Sequence, residues 1–308
     1  MYDTVDFWIN RVGLSGASPF GTQQYLSNIT ERNNENGYSC NGNVGDYKIN
    51  ISDNGISLKG SLSKHYYGDN LHTLTRRDTQ HAIEKLSEQL HLDVGKAKPT
   101  RLDVSTIVCT RRPAADYYRW LGAKPYFERV QTTTDTVYYI NYQKRLCFYD
   151  KAKQAEAKNI PIPPILQNSN LLRYELRFTK RLNKQFNTDL TATKLYDKDF
   201  YRPVIQSWYD EFKSIKIINN KSFMTNDITT LKGAKAAIIA YSMQRLEQDV
   251  INEFLSVLRA NNSLKSRSDY TRVKEYINKM RTASDFEDKS DLIKELQEKF
   301  FDIARYAR

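Results

Sequence analysis

Three segments of the chain alternate apolar and polar residues with the period of a β-strand. They read RLDVSTIV, RLCFYDK and LRYELRF and begin at residues 101, 145 and 172. Side chains on a strand point to its two faces in turn, so each segment would present an apolar face to a core and a polar face away from it. If the three strands are neighbours in one sheet, the polar face brings together Asp103, Tyr149, Lys151 and Glu175.

Two carboxylates on this face, Asp103 and Glu175, lie in the middle of strands, where acidic residues are unfavourable. Two explanations fit the pattern. In the first, the carboxylates form ion pairs with Arg101, Arg173 or Arg177. In the second, their oxygens bind a divalent metal ion, because hard cations such as Mg²⁺ prefer oxygen ligands. The spacing of the residues leaves both explanations open.

Positive charge is concentrated around the same strands. The chain carries a net charge of +11, and the segment from residue 141 to residue 184 alone contains ten lysines and arginines against three acidic residues. Such an excess is typical of a surface that binds nucleic-acid phosphates, although a solvated basic surface has the same composition. The candidate DNA-binding residues are Arg101, Lys144, Arg145, Arg173, Arg177, Lys180 and Arg181.

The remaining composition indicates a soluble protein of a reducing compartment. The three cysteines, Cys40, Cys109 and Cys147, are isolated and suggest no disulfide framework. The first ten residues lack the apolar core of a signal peptide, and no apolar run is long enough to span a bilayer. We therefore expect a cytoplasmic protein with no membrane partner.

The order of patterns predicts an α+β fold. Residues 15–45 are rich in Gly, Ser and Asn and are predicted to form loops, residues 47–62 a hairpin, and the segment after Thr75 a helix. From Asp227 onward the apolar period becomes helical. We predict an antiparallel sheet with helices on one face in residues 1–225, the candidate catalytic domain, and a helical C-terminal region in residues 226–308.

Four motifs occur in a fixed order along these strands. They are Arg101-Leu-Asp103, Thr136-Val-Tyr138, Tyr149-Asp-Lys151 and Arg173-Tyr-Glu175, with Lys180-Arg181 after them. This order resembles that of the filamentous-phage gene II/X replication initiators and of related plasmid rolling-circle initiators. The resemblance covers roughly residues 50 to 190, and its strength comes from the order of the four motifs.

The resemblance implies a DNA nicking and rejoining enzyme that starts rolling-circle replication. The tyrosine of the Y-x-K motif, here Tyr149, would attack origin DNA in single-stranded or hairpin form, leaving a 5′-phosphotyrosyl protein and a free 3′-OH primer. Asp103 and Glu175 would hold Mg²⁺ or Mn²⁺. Lys151 would lower the pKa of the phenol or offset charge in the transition state. Host polymerase and helicase, and a second copy of the chain, are the implied partners.

Several alternatives stay open at this point. Tyr138, Tyr139 and Tyr142 lie in the same region and are rival nucleophiles. The four histidines are nowhere two residues apart, which argues against a His-hydrophobic-His metal site. Only His65 is kept as an accessory ligand, and a structural or phosphate-facing role is the favoured alternative for it. A non-catalytic single-stranded DNA-binding module is the alternative function. A mobilisation relaxase would share the chemistry in another biological setting.

Overall fold

The computed structural model describes residues 1–14, 18–35, 37–133, 136–218, 230–246, 248–261, 264, 266–282 and 290–307. Two compact units make up the chain. The first comprises Met1–Ile218 together with Leu292–Arg308, and the second comprises Asn219–Asp291. The border predicted at residues 225 and 226 lies outside the described residues, and the division into domains 1–225 and 226–308 stays a prediction.

The first unit contains one antiparallel sheet of ten strands in the order β2-β3-β4-β5-β1-β6-β10-β9-β8-β7. The strands are β1 Tyr2–Asn10, β2 Ser27–Asn34, β3 Gly37–Val44, β4 Tyr47–Ser52, β5 Gly55–Lys59, β6 Lys98–Thr110, β7 Glu128–Thr133, β8 Thr136–Ile140, β9 Lys144–Asp150 and β10 Asn170–Phe178. Together with the helices below, this sheet confirms the predicted α+β class.

Helices belong to both units. Those of the first unit are α1 Leu62–Tyr67, α2 Arg76–Leu90, α3 Ala114–Tyr118, α4 Lys151–Ala157, α5 Leu182–Phe186, α6 Lys198–Lys213 and, for all but its first turn, α10 Ser290–Tyr306. Those of the second are α7 Leu231–Arg245, α8 Gln248–Ala260 and α9 Arg267–Thr282. Helix α2 begins at the predicted position, because Thr75 and Asp78 form a capping box. No helix within the described ranges is both long enough and apolar enough to cross a membrane.

The main core lies on the apolar face of the sheet. Phe148 of β9 stacks on Tyr174 of β10 at 4.5 Å between ring centroids, and Tyr174 stacks on Trp208 of α6 at 4.8 Å. Phe300 of α10 packs against Trp208 at 5.2 Å and against Phe212 at 4.8 Å. The last helix of the chain is therefore part of the core of the sheet unit, which its apolar period alone does not reveal.

The prediction of loops for residues 15–45 is wrong for most of that segment, because β2 and β3 lie within it. In β3, Cys40, Gly42 and Val44 face the core while Asn41 and Asn43 lie on the other face. The alternation is present in the sequence, but asparagine and glycine are poor strand formers and conceal it. The strand exists because its neighbours pair with it, not because of its own propensity.

The hairpin predicted next is confirmed as β4 and β5. Its turn ends at Gly55, which has a φ of +146°. A Cβ at this position would lie 2.1 Å from the backbone oxygen of Ile9 on β1, so glycine is required for the close approach of the turn to β1.

Candidate functional site

The three strands singled out in the sequence are neighbours, as predicted. β10 lies between β6 and β9, and its residues pair with both. Arg173 is opposite Tyr149, Glu175 is opposite both Ser105 and Cys147, and Arg177 is opposite Asp103. Paired residues of an antiparallel sheet share a face, so the polar side chains are brought together as the alternation implies.

A pocket of about 550 Å³ opens on this polar face. β8 contributes Tyr138, β9 contributes Arg145 and Tyr149, and β10 contributes Glu175 and Arg177, while α4 closes one side. With Asp150 and Lys153, which also line it, two tyrosine phenols, two carboxylates, two guanidinium groups and one lysine border one cavity. These are groups that can supply a nucleophile, a proton acceptor and positive charge for a phosphate.

The phenol of Tyr149 is held in its neutral form. Burial raises its pKa well above the ordinary value, and the carboxylates of Glu175 and Asp3 act in the same direction. The guanidinium of Arg173, on the paired position of β10, opposes that rise. A phenol becomes a strong nucleophile only when it loses its proton, so a nucleophilic role for Tyr149 would require a proton acceptor nearby.

Both carboxylate oxygens of Asp103 accept hydrogen bonds from arginines. Its side chain is 1% exposed and accepts hydrogen bonds from Arg101 Nε at 2.9 Å and from Arg177 Nε at 3.0 Å. Burial raises the pKa of Asp103 to about 7; Glu175 adds to the rise, while the hydrogen bond from Arg101 and the charges of both arginines oppose it. This is the ion-pair arrangement that the sequence left as one of two explanations.

Glu175 is less completely engaged. Its Oε1 accepts a hydrogen bond from Arg177 Nη2 at 2.8 Å, and its Oε2 is 3.9 Å from Arg173 Nε. The residue is 7% exposed and borders the pocket. Of the two predicted metal ligands, Glu175 is thus the one with an oxygen that is not within hydrogen-bond distance of an arginine.

In this arrangement of side chains, Asp103 does not fit the role of a metal ligand. Both oxygens of Asp103 already accept hydrogen bonds from guanidinium groups, which would have to move before the oxygens could bind a cation. In the part of the chain that the structure describes, no group of three or more His, Cys, Asp or Glu side chains is placed to hold a metal ion.

Arg173 lies at the centre of a buried polar network beneath Tyr149. It is 2% exposed, forms a salt bridge through Nη2 with Asp3 on β1, and donates from the same nitrogen to Ser105 Oγ at 2.7 Å. Its Nη1 donates to the backbone oxygen of Asn70 at 2.6 Å. Arg173 is therefore engaged inside the protein, away from any phosphate outside it.

Sequence reasoning missed Asp3 and Asn70. Asp3 is an acidic residue inside a strand, so the argument that singled out Asp103 would have found it as well. Asn70 lies in the connection between α1 and α2 and carries no sequence signal that we can identify.

Lys151 is not on a strand, and the inference that it shares a strand face with Tyr149 is wrong. β9 ends at Asp150, whose side chain caps α4, and Lys151 is the first residue of that helix. Its Nζ donates to Asn70 Oδ1 at 2.8 Å and to Gln154 Oε1 at 2.7 Å. Burial, reinforced by the charge of Arg173, lowers the pKa of Lys151 to about 7.

The three rival tyrosines differ sharply in their surroundings. Tyr139 is fully buried and donates its hydroxyl to the backbone oxygen of Gly122 at 2.8 Å, so it cannot reach a substrate. Tyr142 is 64% exposed, beyond the end of β8. Tyr138 borders the same pocket as Tyr149, with the Arg145 guanidinium 4.0 Å from its ring centroid. Tyr138 is thus the only one of the three that remains a direct rival.

The predicted basic residues form separate groups. Arg145 and Arg177 border the pocket, and Arg101 pairs with Asp103 beside it. Lys180 lies 4.0 Å and Arg181 6.0 Å from the ring centroid of Tyr142. Lys144 forms a salt bridge of 2.6 Å with Glu211 of α6.

His65 occupies a structural position. It is 5% exposed and lies edge-on to the ring of Tyr47 at 5.5 Å. Burial lowers its pKa to about 4. Neither ring nitrogen has a hydrogen-bond partner among the residues the structure describes, and His65 does not border the pocket. This position favours a structural role for His65 over that of an accessory metal ligand.

The chain matches a known protein family. A family model that describes the N-terminal part of a phage replication-associated protein, the gene II protein, matches residues 1–199 of the chain. The match covers more than half of the chain and includes every predicted site residue. No curated protein matches the chain.

Proposed function

The chain belongs to this family of replication-associated proteins, and on that premise we propose that it initiates rolling-circle replication by nicking one strand of origin DNA through Tyr149. The observation that carries the proposal is the pocket on the polar face. Tyr149, Glu175, Arg145 and Arg177 border it, so a nucleophile, a proton acceptor and two cations surround a space that a phosphate can enter.

The proposed reaction is a transesterification. The phenol oxygen of Tyr149 attacks the phosphorus and forms a phosphotyrosyl bond to the 5′ side of the nick, while the bond from phosphorus to the 3′ oxygen breaks. The departing oxygen takes a proton and becomes the 3′-OH that primes synthesis by the host polymerase. Because the ester bond energy is conserved in the adduct, the reverse reaction can rejoin the strand without ATP.

The phenol proton needs an acceptor. Two carboxylates border the pocket, Asp150 and Glu175. Asp150 accepts from the backbone N–H of Lys153 at 3.0 Å as the cap of α4, whereas Glu175 keeps one oxygen outside hydrogen-bond distance of its arginines. We assign Glu175 as the acceptor.

The guanidinium groups of Arg145 and Arg177 supply positive charge for the phosphate in the transition state. Lys151 acts indirectly, through Asn70. It donates to the side chain of Asn70, and the backbone oxygen of Asn70 accepts from Arg173, the cation opposite Tyr149. Lys151 is in this proposal a positioning residue.

The predicted Mg²⁺ or Mn²⁺ stays a prediction, and no step above depends on it. A metal bound by Glu175 would polarise the phosphate. Adduct formation compared in Mg²⁺, in Mn²⁺ and in EDTA tests the metal requirement. Direct binding of Mn²⁺ to the native protein and to Glu175→Gln, followed by the electron paramagnetic resonance signal of free Mn²⁺, tests whether that residue is a ligand, because this measurement does not depend on its role as proton acceptor.

The decisive experiment is covalent capture. Native protein is incubated with a labelled single-stranded oligonucleotide that carries the origin of its own replicon, and the adducted peptide is identified by mass spectrometry. We expect an adduct on Tyr149, loss of the adduct in Tyr149→Phe, and normal adduct in Tyr142→Phe as the matched control. A normal yield in Tyr149→Phe, or an adduct on Tyr138, would overturn the assignment.

One observation favours the second candidate, a non-catalytic single-stranded DNA-binding module. Asp103 is fully paired with arginines, as expected for a structural residue. This candidate predicts DNA binding without any adduct, and binding that is indifferent to divalent metal and to Glu175→Ala. A mobilisation relaxase would instead form the same adduct on transfer-origin DNA. The implied helicase contact and homodimer stay predictions.

A further inference from the structure

The polar face of the sheet continues beyond the pocket across five more strands. On β1, Asp6 pairs with Arg101 of β6, and Trp8 pairs with Ser57 of β5. Farther out, Lys59 of β5 pairs with Lys48 of β4. Each of these residues lies on the face opposite the core, so β6, β1, β5, β4 and β3 extend the same polar surface.

A second concavity, of about 410 Å³, lies at the far end of this surface. Its polar lining includes Asn41 and Asn43 of β3, Lys48 and Asn50 of β4, and Lys59 of β5. Apart from the two lysines, its polar side chains are asparagine amides and the hydroxyl of Ser57, all of them neutral, so the concavity is polar and carries a net positive charge.

The two lysines are placed in a way that favours an anionic ligand. Lys48 and Lys59 are directly opposite each other on neighbouring strands, and both are exposed. Like charges in this position repel and destabilise a sheet. Within the described ranges neither lysine forms a salt bridge, and Asp6 on the next strand interacts with Lys59 electrostatically. A phosphate between the two ammonium groups would relieve the repulsion.

The amides are suited to nucleic-acid bases. Asn50 Nδ2 donates to Asn41 Oδ1 at 2.8 Å, so each amide keeps some donor or acceptor capacity for a ligand. Asparagine can form paired hydrogen bonds with the edge of a base, with adenine as the usual partner. Lysines that contact phosphates beside amides that can contact bases form a combination that nucleic acid matches.

The separation from the pocket fits a continuous DNA strand. β9, which carries Tyr149, and β4, which carries Lys48, are five strand positions apart. At about 4.8 Å per strand the two sites are about 24 Å apart across the sheet. The strand register places Lys59 level with Gln143, six residues or about 20 Å along the strand direction from Tyr149, so the sites are about 31 Å apart in all. At the B-form rise of about 3.4 Å per nucleotide this is about nine nucleotides, and fewer if the strand is stretched.

We propose that the concavity around Lys48 and Lys59 is a second DNA subsite, which holds the strand several nucleotides away from the phosphate in the Tyr149 pocket. The lysines bind phosphates and the asparagines contact base edges. The identity of the ligand rests on the proposed function, but the subsite itself is tested by binding alone and not by nicking.

The test measures equilibrium binding of a fluorescein-labelled single-stranded 20-mer by anisotropy over a range of salt concentrations. All proteins carry Tyr149→Phe, so that no covalent step contributes. The double variant Lys48→Gln/Lys59→Gln is compared with a control, Lys194→Gln/Lys198→Gln, which removes the same charge from two exposed positions. Lys198 is the first residue of α6, and Lys194 lies in the short turn before it.

We expect Lys48→Gln/Lys59→Gln to bind roughly tenfold more weakly at low salt. The slope of log K against log salt should fall by about 1.4, since each phosphate contact on a single strand contributes about 0.7. The control should keep the native slope. Equal slopes and affinities in the two double variants would refute the subsite. Absence of an adduct in the native protein would refute the nicking function and leave this result unaffected.

Discussion

Arg173 is the residue whose removal should disturb the site most. It is fully enclosed and donates to three groups from three different elements: the carboxylate of Asp3, the hydroxyl of Ser105 and the backbone oxygen of Asn70. We consider the substitution Arg173→Met, which keeps a long apolar side chain and removes the guanidinium. The carboxylate of Asp3 then keeps the hydroxyl of Ser61 at 2.7 Å as a hydrogen-bond donor but loses its cation.

The expected cost follows from this geometry. Breaking a buried ion pair by removing one partner costs about 3–5 kcal/mol, because the other charge remains buried without compensation. A typical domain is stable by about 5–15 kcal/mol, so Arg173→Met should bring the sheet unit close to unfolding. Asp3→Asn should also be costly, since it leaves the buried guanidinium without its closest carboxylate. The free-energy cost of the double variant should be smaller than the sum of the two single costs, by about 2 kcal/mol or more.

The assay is urea unfolding followed by far-UV circular dichroism, for the native protein, the two single variants and the double variant. The matched control is Arg202→Met, at an exposed position of α6, with an expected effect within about 0.5 kcal/mol. A cost for Arg173→Met below about 1 kcal/mol, or strict additivity with Asp3→Asn, would refute the network as described.

Three further predictions concern other parts of the molecule. Burial lowers the pKa of Lys151 from 10.5 to about 7, so the unfolded chain binds more protons between these pH values. The free energy of unfolding should therefore rise with pH between about 7 and 10.5, by at most about 1.4 kcal/mol per pH unit. If Lys151→Met shows the same dependence on pH, this prediction is wrong. Phe300→Ala, which removes the packing of α10 on Trp208, should cost about 3–5 kcal/mol in urea unfolding, and a cost below 1 kcal/mol would mean that α10 is not part of the core. Tyr142→Ala should weaken single-stranded DNA binding in anisotropy by about 1–3 kcal/mol without changing stability, because its ring is exposed beside Lys180; unchanged binding would exclude base stacking there.

The adjacency of the three central strands was predictable from the sequence. The alternation in each strand fixes which residues share a face, and a single polar face with complementary charges is most simply assembled by pairing those strands. The register that places Arg173 opposite Tyr149 and Arg177 opposite Asp103 bears this out.

The position of Lys151 was not predictable in the same way. Alternation continues to a residue only while the strand continues, and Asp150 ends the strand by capping a helix. The Y-D-K segment contains this capping aspartate, but a short helix of seven residues without a clear apolar period gives little signal.

The ion pairs of Asp103 and the place of α10 depend on tertiary structure. The sequence shows several arginines near one aspartate but does not show which of them reach it. The helical period of Leu292, Leu296 and Phe300 predicts an apolar face without specifying the surface that it covers. Asp103 and Arg177 are 74 residues apart, and Phe300 packs on Trp208 of a different helix, so local patterns cannot determine these contacts.

The extended polar face also provides an optical reporter. Of the three tryptophans, Trp120 and Trp208 are buried in the core, whereas Trp8 is partly exposed on β1, between the Tyr149 pocket and the concavity around Lys48. Trp8 pairs with Ser57, which borders the concavity, so bases of a DNA strand held there would contact the indole. Quenching of the intrinsic fluorescence on adding unlabelled DNA, absent in Trp8→Phe, would therefore reveal the path of the strand without any attached dye.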